Sequence, residues 1–285
     1  MDFRYVATRA GRLSTILRED MRMSAGLVNR LKWSDKILVN GVPQHTDYGV
    51  QPGDVITALL HEQIQDYPAE HGKLTILYED DHILAVDKPA EILIHPSRSK
   101  NTGTLANFVA GYYEKTGQKS AFHPVTRLDR DTFGVVLLAK NSHIHGLLQA
   151  ADVEKIYHAW VYGCPDTQEG IIDAPIDRRP LPSLLRFVGP EGKPSQTHYR
   201  VLRRDENTAV LALQPITGRT HQLRVHCAYM GFPILGDPQY GSETAKAFSD
   251  ELGLRYQRLC AKSVSFTHPI TGEKLTITTN MTAQT

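Results

Sequence analysis

The chain has 285 residues, 41% of them hydrophobic, which is enough for two domains or for one large domain with a small appendage. A formal net charge of +1 excludes a uniformly basic surface, so a polyanionic partner would have to be bound by local clusters of cations. No apolar run reaches the roughly 18 to 20 residues of a membrane span, and three widely spaced cysteines argue against a disulfide framework. We therefore expect a cytoplasmic protein.

The first patterned segment, residues 11–60, predicts a small α+β domain. Apolar residues recur at helical spacing over 13–17, and Ser24 can cap a second short helix. The Asn40-Gly41 pair after an apolar run predicts a hairpin in a small curled sheet, because both residues tolerate positive φ. The basic residues of this segment are Arg18, Arg22, Arg30, Lys32 and Lys36. They fit either a polyanion-binding surface or the solvated faces of small helices.

Residues 61–73 are polar and lack apolar periodicity, so they are predicted to be a linker before a second domain over 74–285. In that domain strands are predicted at 74–78, 82–86, 134–140, 155–162, 197–203, 208–213, 262–266 and 274–278. Helices are predicted at 104–113, 142–151 and 220–230. Because strands and helices do not alternate regularly, we expect an α+β fold with a mixed, mainly antiparallel sheet.

A carboxylate between two arginines stands just before one of these strands. The segment reads Arg127-Leu128-Asp129-Arg130, and the apolar run 134–140 follows. Flanking cations keep a carboxylate ionised, and an ionised carboxylate is a potential nucleophile. Loops that lead into rigid strands often position reactive groups. The ordinary alternative is a solvated ion-pair cluster on the surface.

Two further segments carry more polar groups than structure alone needs. Lys155 and Tyr157 share one face of a predicted strand. Residues 217–226 place two arginines, two histidines and a glutamine at a predicted helix start, with Thr220 as the expected N-cap. Taken singly, Tyr157 also fits a half-buried sheet aromatic, and Arg224 also fits a structural ion pair.

Other kinds of catalytic centre lack their signatures. The thirteen histidines do not show zinc-ligand spacing, and neither Cys-x-x-Cys nor His-Glu-x-x-His occurs, so no metal is expected. No Gly-rich phosphate loop or dinucleotide fingerprint is present, so no nucleotide cofactor is expected. Gly-x-Ser-x-Gly is also absent, which argues against a serine hydrolase of that type.

Several motifs agree in order and spacing with one known family. They are Leu84-Ala85-Val86-Asp87-Lys88-Pro89-Ala90 through His95-Pro96, Arg127-Leu128-Asp129-Arg130-Asp131-Thr132-x-Gly134, Lys155-x-Tyr157-x-Ala159, Gly218-Arg219-x-His221-Gln222-x-Arg224-x-His226, Gly231-x-Pro233-Ile234-x-Gly236-Asp237-x-x-Tyr240-Gly241 and Ala261-x-x-Val264-x-Phe266-x-His268-Pro269. From about residue 74 to the end, the chain thus resembles the RluA-type RNA pseudouridine synthases. The N-terminal fifty residues separately resemble a small S-four-type RNA-binding domain.

The resemblance implies the pseudouridine synthase fold and the isomerisation of specific uridines in structured ribosomal or transfer RNA, without a cofactor. It implies that Asp129 is the nucleophile or essential carboxylate and that Arg224 is its ionic partner. Tyr157 would stack under the target uracil and accept a proton. Arg127 would fill the space left when the uridine flips out of its helix. The full set of expected RNA contacts is Arg127, Arg130, Lys155, Arg219, Arg22, Arg30 and Lys32.

Two positions depart from the family pattern, since Phe133 replaces a common Ser and Cys260 replaces an expected His. We expect altered packing or substrate fit there, with activity retained. A second hypothesis is an RNA-binding or ribosome-assembly protein whose synthase fold is not catalytic. A third, a carboxylate-based glycosidase, needs a second catalytic acid that the sequence does not place. Nothing in the sequence demands a partner subunit, so a monomer is expected.

Overall fold

The computed structural model describes residues 2–60, 67–97, 100–180, 182–183 and 185–284. Its N-terminal unit, residues 2–60, contains β1 (Asp2–Val6), β2 (Gly11–Arg12), α1 (Leu13–Glu19), α2 (Ala25–Lys32), β3 (Ile37–Val39), β4 (Val42–Pro43), β5 (Gly49–Val50) and β6 (Val55–Leu59). One sheet has the order β1-β6-β3-β4, and β2 pairs with β5. As predicted, Ser24 caps α2 by accepting the N–H of Leu27 at 3.2 Å. Asn40 and Gly41 both have positive φ in the β3–β4 turn.

The larger unit is built on a mixed sheet. Its elements are β7 (Thr75–Glu79), β8 (Ile83–Lys88), α3 (Leu105–Thr116), β9 (His123–Pro124), β10 (Phe133–Ala139), α4 (Ser142–Ala150), β11 (Glu154–Tyr162), β12 (Glu169–Asp173), β13 (Ile176–Arg178), β14 (Arg186–Val188), β15 (Gln196–Arg204), β16 (Thr208–Pro215), α5 (Gln222–Tyr229), α6 (Glu243–Glu251), β17 (Leu259–Thr267) and β18 (Lys274–Thr278). The order is β12-β15-β16-β11-β17-β10-β8-β7, with β18 beside β17 and β9 beside β10.

The pairing of these strands confirms the predicted fold class. Among the described strands of this sheet, neighbours pair antiparallel with one exception. The exception is β10 and β17, which run parallel, with Phe133 opposite Cys260 and Gly134 opposite Ala261. The β10 strand is buried along its whole length, as its apolar run predicts. The central sheet therefore brings the chain segments that flank β10, β11 and β17 to one region of the molecule.

The helix predicted over 220–230 begins later than expected, so the assignment of Thr220 as its N-cap is wrong. The helix α5 starts at Gln222, and the N-cap position is His221, in the left-handed conformation with φ 58°. The Gln222 side chain explains the shift: its Oε1 accepts the N–H of Arg219 at 3.0 Å and the hydroxyl of Thr217 at 2.8 Å. These bonds close a turn before the helix.

Two apolar clusters form most of the core. One contains residues of α3, β10, β11 and β16. The other contains residues of the N-terminal unit together with β8, β10 and α4 of the larger unit. The Phe3 ring links the two units, because it lies edge-on to His143, with ring centroids 4.8 Å apart, and stacks on His82 at 5.9 Å.

Part of the predicted linker, residues 61–66, lies outside the described residues. Residues 67–73 lie against α3: Asn107 donates its amide to the carbonyl of Pro68 at 2.9 Å, and Glu70 accepts the N–H of Gly103 at 2.8 Å. The domain boundaries at 60 and 74 stay predictions. No helix in the described part of the chain is long and apolar enough to cross a membrane.

Candidate active site

The Asp129 loop joins β9 to β10, and a buried lysine, Lys88, binds its backbone. Lys88 is fully buried, and its ammonium donates to the carbonyls of Pro89, Ile92 and Arg130 at 2.8–2.9 Å. Burial lowers the pKa of Lys88 to about 7, while the nearby carboxylates of Asp131 and Asp129 oppose that shift. Three carbonyl acceptors match the three donors of an ammonium. The loop backbone is therefore anchored at Arg130, the residue that follows Asp129, to the segment after β8.

Gly134 allows the loop to enter the sheet. Its φ is +107°, and a Cβ at this position would overlap the backbone carbonyl of Ala261 in β17. Only glycine tolerates this conformation and this close approach readily. The parallel contact between β10 and β17 therefore depends on a residue without a side chain.

Arg224 is the arginine that faces Asp129. Its Nη1 donates to Asp129 Oδ2 at 3.3 Å. Its Nε and Nη2 donate to the two oxygens of Asp237 at 2.7 and 2.8 Å, and Nη2 also donates to Gln239. Burial acts to lower the pKa of Arg224, but Asp237 and Asp129 outweigh it and the pKa is raised. The guanidinium is thus a permanent cation, fixed on one side by Asp237 and offered to Asp129 on the other.

The two arginines adjacent to Asp129 in the sequence have other surroundings. Arg130 donates to its neighbour Asp131 at 2.9 and 3.0 Å, and its side chain is 62% exposed. Arg127 is exposed, and its positive charge helps to lower the pKa of His95, an effect second to burial. The sequence order Arg-Leu-Asp-Arg therefore does not determine which arginine pairs with the carboxylate.

Tyr157 lies on the central strand β11, at the point where its register with β17 shifts. The side chain is buried, 9% exposed, and it faces the cleft that contains Asp129. Burial, with a smaller contribution from the Asp129 charge, raises the pKa of Tyr157. The phenol is therefore protonated at neutral pH.

A cleft of about 500 Å³ brings most of the predicted site residues together. This size suits a single nucleotide-sized group. The predicted residues that line it are Arg127, Asp129, Lys155, Tyr157, Arg219 and Arg224. Arg130 is not among its lining residues, and neither are the three cations of the N-terminal unit.

Two of those three cations, Arg30 and Lys32, have a side-chain contact in the structure. Arg30 donates to Ser142 Oγ at 3.4 Å, across the two units. Lys32 lies over the ring of Trp33, 4.8 Å from its centroid, and Trp33 is 81% exposed. Arg22 adopts a positive φ of 53°. None of the three lines the cleft, so an RNA contact by them stays a prediction.

Sequence reasoning assigned no role to Asp237, Tyr240 or His221, although all three stand in quoted motifs. His221 lines the cleft, with Nδ1 2.8 Å from the hydroxyl of Tyr240 and Nε2 4.0 Å from Asp129 Oδ2. Asp237 could have been selected as a candidate from the Gly236-Asp237 pair, because this pair stands in a quoted motif that directly follows α5, the helix of Arg224. Among the described residues, no group of three His, Cys, Asp or Glu side chains could hold a metal ion.

A family model described as RNA pseudouridylate synthase matches residues 82–229. The chain belongs to this family. RNA pseudouridylate synthases are isomerases, and the matched residues include the Asp129 loop, β11 and α5.

Relatives of this synthase match it over most of its length. An uncharacterized RNA pseudouridine synthase of Bacillus subtilis, YjbO, is 37% identical over 90% of this chain and 90% of its own. Ribosomal large subunit pseudouridine synthases C and D of Vibrio cholerae are 31% and 37% identical. Synthase C covers 93% of this chain and 88% of its own, and synthase D covers 84% and 78%.

The fold of the synthase also matches a solved structure, human RNA pseudouridylate synthase domain containing 1. The TM-score is 0.61 at 26% identity, and the match covers 75% of this chain and 86% of the human one.

Phe133 and Cys260, the two departures from the family pattern, face each other across the parallel β10–β17 pair and share a small apolar cluster with Ala283. They are thus packing neighbours.

Proposed function

We propose that this synthase converts specific uridines of a structured RNA into pseudouridine, with Asp129 as its essential carboxylate. One observation carries the proposal: Asp129 Oδ2 lies 3.3 Å from the fixed guanidinium of Arg224, in a cleft that Tyr157 also lines. Ribosomal or transfer RNA is the proposed substrate class, and the ribosomal names of the Vibrio cholerae relatives favour ribosomal RNA.

The reaction breaks the bond from C1′ to N1 of uracil, rotates the base, and forms a bond from C1′ to C5. Positive charge develops at C1′ when the first bond breaks. An ionised carboxylate either stabilises that charge or captures C1′ as a covalent adduct. The Asp129 side chain is 31% exposed to the cleft, so it can reach a substrate sugar while Arg224 keeps it ionised.

Tyr157 is proposed to stack under the uracil and to accept the proton from C5 after the new bond has formed. Burial and the negative charge of Asp129 raise the pKa of Tyr157, so its phenol is protonated before the reaction. It can therefore accept the C5 proton only as its own hydroxyl proton leaves to solvent in the cleft, and N1 of the uracil gains a proton from the same solvent. The C5 proton becomes available only when the bond from C1′ to C5 exists, so this transfer belongs late in the reaction.

The target uridine has to leave its helix to enter a cleft of this kind. Arg127 is exposed at the cleft and is proposed to fill the vacated space in the RNA stack. Lys155 and Arg219 are proposed to bind phosphates near the cleft, and Arg130 to do so from the adjoining surface. A second contact area is proposed on the N-terminal unit, formed by Arg22, Arg30 and Lys32.

The test is the release of tritium from ribosomal and transfer RNA transcripts that carry uridine tritiated at C5. Wild-type protein should release it, and Asp129→Ala should lower the rate about 10⁴-fold or more, as removal of a catalytic nucleophile does. The matched control is Asp131→Asn in the same loop, which should retain most of the activity. Full activity in Asp129→Ala would overturn the role of this residue.

A second measurement identifies the RNA. Pseudouridines are mapped in total RNA from cells with and without the gene, and a site lost with the gene is the proposed substrate. If no site is lost while Asp129→Asn still supports ribosome assembly, the protein acts by binding and not by catalysis. A cytoplasmic monomer is the proposed working form; the free state of the three cysteines agrees with a reducing compartment.

A further inference from the structure

His221 faces the same carboxylate oxygen as Arg224, from a strained backbone position. Its φ of 58° is left-handed, a conformation that is unfavourable for a residue with a side chain. The side chain is 17% exposed and lines the cleft, with Nε2 4.0 Å from Asp129 Oδ2. The unfavourable backbone conformation thus occurs at a residue whose imidazole lines the cleft.

The hydrogen bonds of Tyr240 favour one of the two tautomers of this imidazole. The backbone N–H of Arg186 donates to Tyr240 Oη at 2.9 Å. The hydroxyl hydrogen of Tyr240 is then available for His221 Nδ1, which lies 2.8 Å away. Burial lowers the pKa of His221; the charge of Asp129 opposes this shift, and the charges of Arg224 and Arg186 add to it, so the ring is neutral at pH 7. The arrangement favours the tautomer in which Nδ1 accepts the hydroxyl hydrogen of Tyr240 and Nε2, which faces Asp129, carries the proton.

The distance of 4.0 Å between Nε2 and Asp129 Oδ2 is too long for a direct hydrogen bond. It suits a third atom, because one hydroxyl oxygen can lie about 2.8 Å from both. Such a hydroxyl would accept the hydrogen of Nε2 and donate its own to the carboxylate. The 2′-hydroxyl of ribose can do both, and a deoxyribose offers neither. In the proposed reaction Asp129 acts at C1′, the carbon next to C2′.

We propose that His221 is a specificity-determining residue, which with Asp129 recognises the 2′-hydroxyl of the target uridine and so restricts the synthase to ribonucleotides at that position. Tyr240 acts through His221 as a positioning residue. The inference rests on the proposed function, since it takes Asp129 to be the residue that meets the sugar.

The test is a thermodynamic cycle that combines enzyme variants with a substrate lacking one 2′-hydroxyl. The substrate is a synthetic RNA hairpin containing the mapped uridine, either all-ribose or with 2′-deoxyuridine at that single position. Pseudouridine formation is measured as kcat/KM for wild type, His221→Ala and Tyr240→Phe. For wild type, the deoxy substitution should lower kcat/KM by about 10- to 100-fold, the range for a buried hydrogen bond to a charged group. In His221→Ala that penalty should fall to about twofold or less, and in Tyr240→Phe it should be intermediate.

The control is Tyr229→Ala, an exposed change on the same helix, which should keep the full deoxy penalty. Equal penalties in wild type and in both active-site variants would overturn the inference while leaving the proposed function intact. Absence of pseudouridine from the all-ribose hairpin with wild-type protein would overturn both. Because the readout is a ratio between two substrates, a general loss of folded enzyme does not imitate the expected result.

Discussion

At the scale of single residues, the orientation of Arg224 depends on a carboxylate outside the cleft lining. The Asp237 side chain is 1% exposed, and besides Arg224 it accepts the backbone N–H groups of Gln239 and Tyr240. Asp237 therefore holds the guanidinium in the one orientation that leaves Nη1 for Asp129. The buried arginine and its two carboxylates form a unit whose members cannot be removed separately without cost.

Asp237→Asn should weaken both stability and catalysis. An amide accepts with one atom only, so one N–H of Arg224 loses its partner and a buried cation loses its main counter-charge. We expect the free energy of unfolding to fall by about 3 kcal/mol, as for other broken buried pairs, and kcat to fall about 100-fold through misplacement of Arg224. Urea unfolding and steady-state kinetics measure both. Asp205→Asn, which removes an exposed partner of Arg203, is the control and should change neither.

The same residues show which parts of the site could be predicted from the sequence. Asp129, Tyr157 and Arg224 could be selected because each stands in a local motif, and the fold does bring all three to one cleft. Asp237 also stands in a quoted motif, but its role could not be assigned from that motif, because the role depends on a buried contact with Arg224, 13 residues away in the chain.

At the scale of elements, the approach of β10 to β17 rests on Gly134. Gly134→Ala should lower the free energy of unfolding by about 3 kcal/mol, since it adds a left-handed strain and a clash with the Ala261 carbonyl. It should also lower activity, because the Asp129 loop enters the sheet here. The control is Gly146→Ala on α4, where a Cβ meets nothing within 4 Å; it should be neutral or stabilising. Thermal unfolding compares the two, and equal melting temperatures would contradict this account.

A second element-scale feature is Glu79, which ties β7 to α3 and to the end of β10. It accepts from Lys140 at 2.7 Å, Tyr112 at 2.5 Å and Gln118 at 3.0 Å. Burial alone would raise the pKa of Glu79, but these hydrogen bonds outweigh it and the pKa is lowered. A carboxylate with a lowered folded-state pKa stabilises the fold above its unfolded pKa, and the stabilisation is lost as pH falls through the folded value.

Glu79→Gln should therefore be destabilising at neutral pH and nearly silent in acid. We expect a loss of about 2 kcal/mol at pH 7, in the range for hydrogen bonds to a charged group. The difference from wild type should shrink as pH falls below about 4, where the unfolded carboxyl is protonated. Urea unfolding at a series of pH values measures it. A difference that stays constant down to acid pH would show that the charge of Glu79 contributes nothing.

Elements differed in how well their own residues identified them. Strand-like patterns identified β8, β10 and β11 to within a residue or two, and the β10 pattern was a continuous apolar run. The strands β13 and β14 were missed because they are three residues each and polar in part, and they form by pairing with each other outside the main sheet. The α5 start was displaced because the Gln222 side chain, and not a Thr220 hydroxyl, closes the preceding turn.

At the scale of the whole molecule, the N-terminal unit and the sheet share one apolar cluster through Phe3. Phe3→Ala should lower the free energy of unfolding by about 3 kcal/mol, as for other buried phenylalanines, and should separate the unfolding of the two units. The control, Val6→Ala, changes the same strand at a site 53% exposed and should have little effect. Calorimetry measures the unfolding transitions of both variants. If Phe3→Ala unfolds in a single transition at the wild-type temperature, the two units are not coupled through Phe3.

The pairing of Asp129 with Arg224 joins positions 95 residues apart in the chain. Contacts of such long sequence separation form late in folding, because the entropy of closing the intervening chain has to be paid first. The neighbouring β10–β17 contact spans an even longer stretch, from Phe133 to Cys260. A chain made from its N-terminus thus exposes Arg127 and Arg130 well before residues 224 and 260 exist to complete the cleft. We therefore expect activity during refolding to recover with closure of the central sheet, because Asp129 and Arg224 meet only when these distant segments have come together.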